Sequence, residues 1–533
     1  MTRRLVFAAL VFACGCAAAQ PRTAPSPKPA LIVLIVVDQM RTDYLDRGMR
    51  QFTGGLRRLT SQGTWFREAA YPYLNTVTCA GHATIGTGAL PYRHGMVLNS
   101  WWDRETARPR PCTSDEAVRN IGYQGKPAGG DSARALLAPT LAQTLGRQTG
   151  GRSVAISLKP RSAIPMVGGD PTAVVWFNEQ TGWTTSTAFT REKLPWLQSF
   201  FEKNPISADA QRTWARLLPA DAYQGPDDAD GERFPQGWKR TFPHVLASAG
   251  AAFTAQWQRS PFADEYLGRM AGAAVDALAL GRSKGVDLLA VSFSALDLAG
   301  HQFGPESHEV QDLVLRLDQT IGALLEHLDR SIGQGGYVVG LSADHGVGPI
   351  TEQVQDSGRQ TSEQTLAAIN RALVPFFGQG KHAVHAAYTD LYLAPGVMQK
   401  LRDHPKAAAS VLAALEQLPG IARAFFADEI ASPERRTDPD PVRRAAALSY
   451  YPNRSGDVII VPKPGWMLSS TSAATHGTLY WHDQRVPLVF YGAGVPAARR
   501  DTPATPADLA PTLAALVRVP FAAPDGRPLV TAK

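Results

Sequence analysis

The stretch LIVLIVVD, residues 31–38, holds seven apolar residues, mostly β-branched, and closes on an acid. A run with no polar alternation reads as a strand buried on both faces, as in a parallel sheet. The same form returns in RSVAISLKPR (152–161), VDLLAVSFSALD (286–297) and GYVVGLSADH (336–345). Helical patterns lie between these runs: PTLAQTLGRQ (139–148), DEYLGRMAGAAVDALALGR (264–282) and EVQDLVLRLDQTIGALLEHL (309–328). Strands alternating with helices predict an α/β domain, with a doubly wound, mostly parallel central sheet and helices on both faces. Ligands in such sheets bind at the carboxyl ends of the strands, and each of the four runs carries a polar or charged residue there.

Working outward, two stretches break the rhythm. Residues 165–260 are rich in Trp, Pro, Gly and Asp, and residues 352–470 hold a mixed segment ending in SGDVIIVPKPGW. Both read as insertions capping the strand ends of one catalytic domain over 31–533. The α/β pattern resumes with THGTLYWHDQRVPLVFYG (475–492) and a helical ADLAPTLAALVRV (507–519). There is no internal repeat.

The N-terminus has a different character. Arg3 and Arg4, the apolar Leu5–Cys14 and the small residues Ala17–Ala19 form a signal peptide over 1–20. The apolar run is too short for a mature membrane span. Residues 21–30 are Pro-rich and polar, a flexible linker. Export to the periplasm or medium follows. Cleavage near Ala19 releases a soluble protein, the preferred outcome; a lipid anchor on Cys14 or Cys16 is the alternative.

The 533 residues are 44% hydrophobic and 19% charged, with formal net charge +7, and losing residues 1–20 removes two arginines and no acid, leaving +5. That balance, without a long basic run, gives no sign of a nucleic-acid partner and suits anionic small molecules. After the signal only Cys79 and Cys112 remain. An oxidising compartment permits them to pair, but their geometry is not legible in sequence.

Taken singly, the candidate residues are ambiguous. Asp344-His345-Gly346 after a strand is as readily a turn. Asp297 and His301 are four apart and share a face if the chain turns helically, which suits zinc. His476 and Asp38 are further candidates at predicted strand ends. Thr78, in NTVTCAGHATIGTG (75–88), offers a hydroxyl that metal coordination can activate. It also reads as a helix cap, and the two readings are compatible.

Together, VVDQM, NTVTCAGHATIGTG, YRHGMVLNSWWD, LKPRSA, SALDLAGHQFGPES, LSADHGV and ATHGTLYWHD stand in the order and approximate spacing of the alkaline phosphatase superfamily. The chain resembles most its phosphate-irrepressible, PafA-like group, from about residue 30 to 520. That resemblance implies two Zn2+ per chain: one held by Asp297, His301 and His476, the other by Asp38, Asp344 and His345 with Thr78 beside it. It implies Thr78 as covalent nucleophile, and Asn99, Lys159 and Arg161 as holders of phosphate oxygens.

The resemblance also implies a broad-specificity phosphate monoesterase acting through a phosphothreonine. Lys159 and Arg161 favour a monoester, whose non-bridging oxygens carry nearly two charges. His82 and His94 read as structural hydrogen-bond partners. Cys79 lacks the Cys/Ser-x-Pro-x-Arg context of sulfatases and reads as a packing residue. Two alternatives stand: a nucleotide pyrophosphatase/phosphodiesterase of the same superfamily, and a metal-stabilised binding protein without catalysis.

Overall fold

The computed structural model describes residues 28–531. Five parallel strands form the middle of a ten-stranded sheet: β1 (Leu31–Val37), β2 (Ser153–Ser157), β3 (Ala173–Asn178), β4 (Asp287–Phe293) and β5 (Tyr337–Ser342). Their spatial order is β5-β1-β4-β2-β3, all parallel. The flanks are mixed. Leu488–Gly492 runs antiparallel to β5, Thr64–Phe66 antiparallel to that, and Ala498–Arg500 parallel to Thr64–Phe66. On the other side Gly182–Ser186 and Asn120–Gly122 add antiparallel strands.

All seven side chains of β1 are buried, and they alternate between two cores. Leu31, Val33, Ile35 and Val37 enter one; Ile32, Leu34 and Val36 enter the other. Each such side chain contributes about 1.5–3 kcal/mol by leaving water. The first core is closed by helices α3 (Pro261–Ala277) and α5 (His308–Ser331), and the second by α2 (Pro160–Val167) and Leu509–Leu516. Helices on both faces explain why the strand carries no polar alternation.

Within 165–260, β3 and Gly182–Ser186 belong to the main sheet rather than to a cap. Much of 352–470 folds around its own apolar centre, which includes Leu373, Val411, Leu415 and Ile460. This lobe has a four-stranded sheet that starts with the hairpin β6 (Ala383–Ala387) and β7 (Asp390–Leu393). The expected signal peptide and most of the expected linker fall at residues 1–27, outside the described residues.

Candidate active site

Because the central strands are parallel, their carboxyl ends lie along one edge, and the chain places its reactive residues just past them. Asp38 follows β1, Lys159 follows β2, and Asp344 and His345 follow β5. Beyond β4, helix α4 (Ala295–Phe303) carries Asp297 and His301 one turn apart. Asp264 on α3 accepts the backbone N–H groups of Ser294 and Ala295 at 3.2 and 3.3 Å, tying the start of α4 to the core.

Thr78 opens helix α1 (Thr78–Thr87). Gly81 lets this helix meet β5's end, since a Cβ there would collide with the Asp344 carbonyl. The cap position belongs to Val77, and Thr78 makes no capping bond. Its hydroxyl instead lies 3.5 Å from His345 Nε2. The capping role expected from sequence is thus corrected: a residue already inside the first turn turns its side chain into the cleft.

Two clusters of potential ligand atoms converge here: Asp297 with His301 and His476, and Asp38 with Asp344 and His345. In the first, His301 Nε2 is 3.2 Å and His476 Nε2 3.6 Å from Asp297 Oδ1. In the second, His345 Nε2 is 3.2 Å from Asp344 Oδ2 and 3.6 Å from Asp38 Oδ1. Each imidazole of the two clusters spends its Nδ1 on a backbone carbonyl: His301 on Ala474, His345 on Gly346, His476 on Thr76, at 2.8–2.9 Å. Nδ1 is then a donor, which leaves Nε2 directed into the cluster, where it ligates a metal in the neutral form.

The electrostatics point the same way. Burial, reinforced by Asp297 and Asp344, pushes Asp38 up to about 7 against the pull of Lys159 and His345. Burial also opposes ionisation of Asp297, but Lys159, His301 and His476 outweigh it and hold the group well below the usual carboxylate range. Asp344 is held low too, with His345 and His82 overcoming burial. Asp38 Oδ1 and Asp344 Oδ2 are buried without a hydrogen-bond donor, a costly state unless a cation serves them. Three buried carboxylates and three correctly oriented imidazoles fit two divalent metals.

Lys159 is buried, and its ammonium bridges Asp38 Oδ2, at 2.6 Å, and Asp297 Oδ2. It therefore links a carboxylate of each cluster. Arg161 Nε is buried with no hydrogen-bond partner. Asn99 Oδ1 accepts the Cys79 N–H at 2.8 Å, and its backbone carbonyl accepts the Cys112 N–H at 3.0 Å. Cys79 is not merely a packing residue: it forms a disulfide with Cys112. His82 and His94 have the structural roles read from sequence, bonding Thr78 O with Ser292 Oγ and Thr84 Oγ1 with the Met96 N–H, respectively.

The sequence profile of the type I phosphodiesterase / nucleotide pyrophosphatase family matches residues 32–485. The chain belongs to that family. Alkaline phosphatase PafA of Elizabethkingia meningoseptica is 32% identical over 94% of this chain and 93% of its own length. Its crystal structure matches with a TM-score of 0.86 over 94% of this chain and 98% of that one. Alkaline phosphatase PhoV of Synechococcus elongatus is 29% identical over 94% and 91%. Murine ectonucleotide pyrophosphatase/phosphodiesterase 5 shares the fold, with a TM-score of 0.54 at 13% identity over 92% and 96%. Within the alkaline phosphatase superfamily the chain is therefore PafA-like, as its motifs imply.

Two residues at the site carry no role in the sequence reading. Gln39 touches both clusters, and its only sequence signal is its place beside Asp38. Tyr388, at the tip of the β6–β7 hairpin, donates its hydroxyl to the His476 carbonyl. Nothing in the mixed composition of 352–470 marks it.

Proposed function

We propose that this chain is an exported, zinc-dependent phosphate monoester hydrolase of broad specificity, working through a phosphothreonine on Thr78. The observation that carries the reading is the convergence of the Thr78 hydroxyl on two Asp/His clusters that share one buried ammonium, Lys159. Asp297, His301 and His476 would hold one zinc; Asp38, Asp344 and His345 would hold the other, with Thr78 beside it. Bound there, the metals supply Lewis acidity, lowering the pKa of an adjoining hydroxyl and offsetting charge on the attacking and leaving oxygens.

The chain's own residues do the rest. Thr78 gives up its hydroxyl proton to solvent, its Oγ forms a bond to phosphorus as the ester P–O bond breaks, and the departing alkoxide takes a proton from solvent. Water then attacks the phosphothreonine, the P–Oγ bond breaks, and phosphate leaves as Thr78 regains its proton. Asn99, oriented by the Cys79 amide, turns its Nδ2 donors towards the phosphate oxygens. Lys159 and Arg161 offset the second negative charge that distinguishes a monoester. A solved PafA variant is altered at one threonine, one asparagine, one lysine and one arginine, the same four residue types.

The diesterase reading is weaker, because the alkaline phosphatases PafA and PhoV are alike over nearly the whole chain, while likeness to the murine ectonucleotide pyrophosphatase/phosphodiesterase structure is confined to the fold. Export is supported by the Cys79–Cys112 disulfide, which persists in oxidising compartments. Among the described residues no helix is long and apolar enough to cross a membrane.

The test compares kcat/KM for paired aryl mono- and diesters, with and without chelator, alongside zinc content. A monoester preference that vanishes with the metal is expected. Diester preference would overturn the substrate class, and turnover by metal-free protein would overturn the metal role.

A further inference from the structure

Gln39 directly follows Asp38 and is 1% exposed. Its backbone sits at φ 69°, the left-handed region that a side-chain-bearing residue seldom adopts. Two hydrogen bonds accompany that geometry. The Gln39 N–H donates to Asp344 Oδ1 at 3.1 Å, and Nε2 donates to Asp297 Oδ1 at 2.8 Å. Asp344 and Asp297 belong to different clusters, so one residue fastens a carboxylate of each.

The far end of the side chain is fitted as closely. Gln39 Oε1 lies against α4 at Gly300, between the ligands Asp297 and His301, and a Cβ on Gly300 would overlap it. A strained backbone, a buried amide and a glycine notch on the facing helix serve one placement. Strain of this kind persists only where the surroundings over-determine it.

We propose that Gln39 is a positioning residue that holds the two metal sites in register, its backbone N–H orienting Asp344 and its side-chain amide orienting Asp297. The proposal rests on the two-zinc reading above. It makes an asymmetric demand. Substitutions that keep the backbone N–H and remove the amide should weaken the Asp297/His301/His476 site and spare the Asp38/Asp344/His345 site. Loss of a hydrogen-bond partner behind a metal ligand typically costs about 10- to 100-fold in metal affinity.

The variants are Gln39→Gly, which accepts the left-handed φ and deletes the amide, and Gln39→Glu, which keeps the shape but faces Asp297 with an acceptor. Gly300→Ala displaces the amide from the opposite side. Zinc is titrated into metal-free protein against a competing chelator, its stoichiometry is read by elemental analysis, and Tm of the metal-free protein is followed in parallel.

One zinc of two should bind about 10- to 100-fold more weakly in Gln39→Gly, with Gln39→Glu and Gly300→Ala changing in the same direction. Two zincs bound as in wild type, or both weakened equally along with a lower metal-free Tm, would overturn the proposal and leave Gln39 a packing residue. Wild type binding no zinc would instead overturn the underlying metal reading. If Gln39→Gly does not fold, the asymmetry is read from Gln39→Glu and Gly300→Ala.

Discussion

The imidazoles of His345 and His476 lie face to face, with ring centroids 3.5 Å apart and planes inclined by 13°. They belong to different ligand clusters, so the two candidate metal sites share a wall. Prolonged chelation should abolish turnover, and zinc should restore it only as both sites fill. Acid should strip the metals too, because the imidazoles must be neutral and the carboxylates ionised to ligate. The check is activity against zinc content in one titration; full activity without metal would contradict it.

Thr78→Ala should lose most turnover while keeping zinc, since no charged ligand is lost. Thr78→Ser should keep substantial activity, because the attacking oxygen remains. Trapping the phosphoryl group by mass spectrometry locates the nucleophile, and a phosphorylated residue other than Thr78 would refute the assignment.

Arg161 and Lys159 should separate in their effects. Among the described residues Arg161 Nε has no hydrogen-bond partner, so Arg161→Ala tests phosphate recognition directly. A lost charge-assisted contact raises the barrier by about 2–4 kcal/mol, roughly 30- to 1000-fold for monoesters. Diester turnover should fall much less. Lys159→Ala also strips the ammonium that bridges Asp38 and Asp297, so its zinc content should be measured alongside. Equal losses for both substrates in Arg161→Ala would remove the argument for a monoesterase.

Far from the clusters, Glu309 is fully buried, with Oε1 2.7 Å from His244 Nε2 and Oε2 without a partner. Burial pushes Glu309 up to about 9, from an ordinary 4.5, with Asp227, Arg216 and Asp312 acting in smaller measure. Between those values the folded chain holds a proton that the unfolded chain has lost, so stability falls as pH rises through the window. Glu309→Gln holds no such proton. Its Tm should exceed that of wild type at pH 8.5, with the gap narrowing towards pH 5.5. Parallel curves would show that Glu309 does not titrate in this way.

Tyr388→Phe keeps the ring beside Gly477 and drops the hydroxyl that holds the His476 carbonyl. One lost hydrogen bond is worth about 1 kcal/mol, roughly fivefold. The loss should appear in kcat/KM at limiting zinc and shrink at saturating zinc. A loss independent of zinc would place Tyr388's role elsewhere.

The parallel centre was readable because burial on both faces writes itself as unbroken apolar runs. Asp38, Asp297 and Asp344 were readable because parallel strands bring their carboxyl ends to one edge. Gln39 was not, since its amide meets Asp297 across 258 residues of chain. Neither was the mixed composition of the flanks: Leu488–Gly492 is as apolar as β5 beside it yet runs the other way, and apolar patterning carries no direction. Tyr388 lies in a lobe with its own core, where local patterning reports the lobe and not what its hairpin tip reaches.

The bond between Cys79 and Cys112 gives the protein a history. It closes a loop across 33 residues of separation, which by chain-entropy arguments disfavours the unfolded state by about 4 kcal/mol. Cys79 neighbours Thr78, the proposed nucleophile, and the Cys112 amide is bonded to Asn99. Both sulfurs belong to residues at most 1% exposed, so oxidant and reductant reach them only while the helix stands open. Order of assembly therefore counts. A chain made where thiols stay reduced and one oxidised before its core closes can share every residue and still differ in the loop that begins beside Thr78.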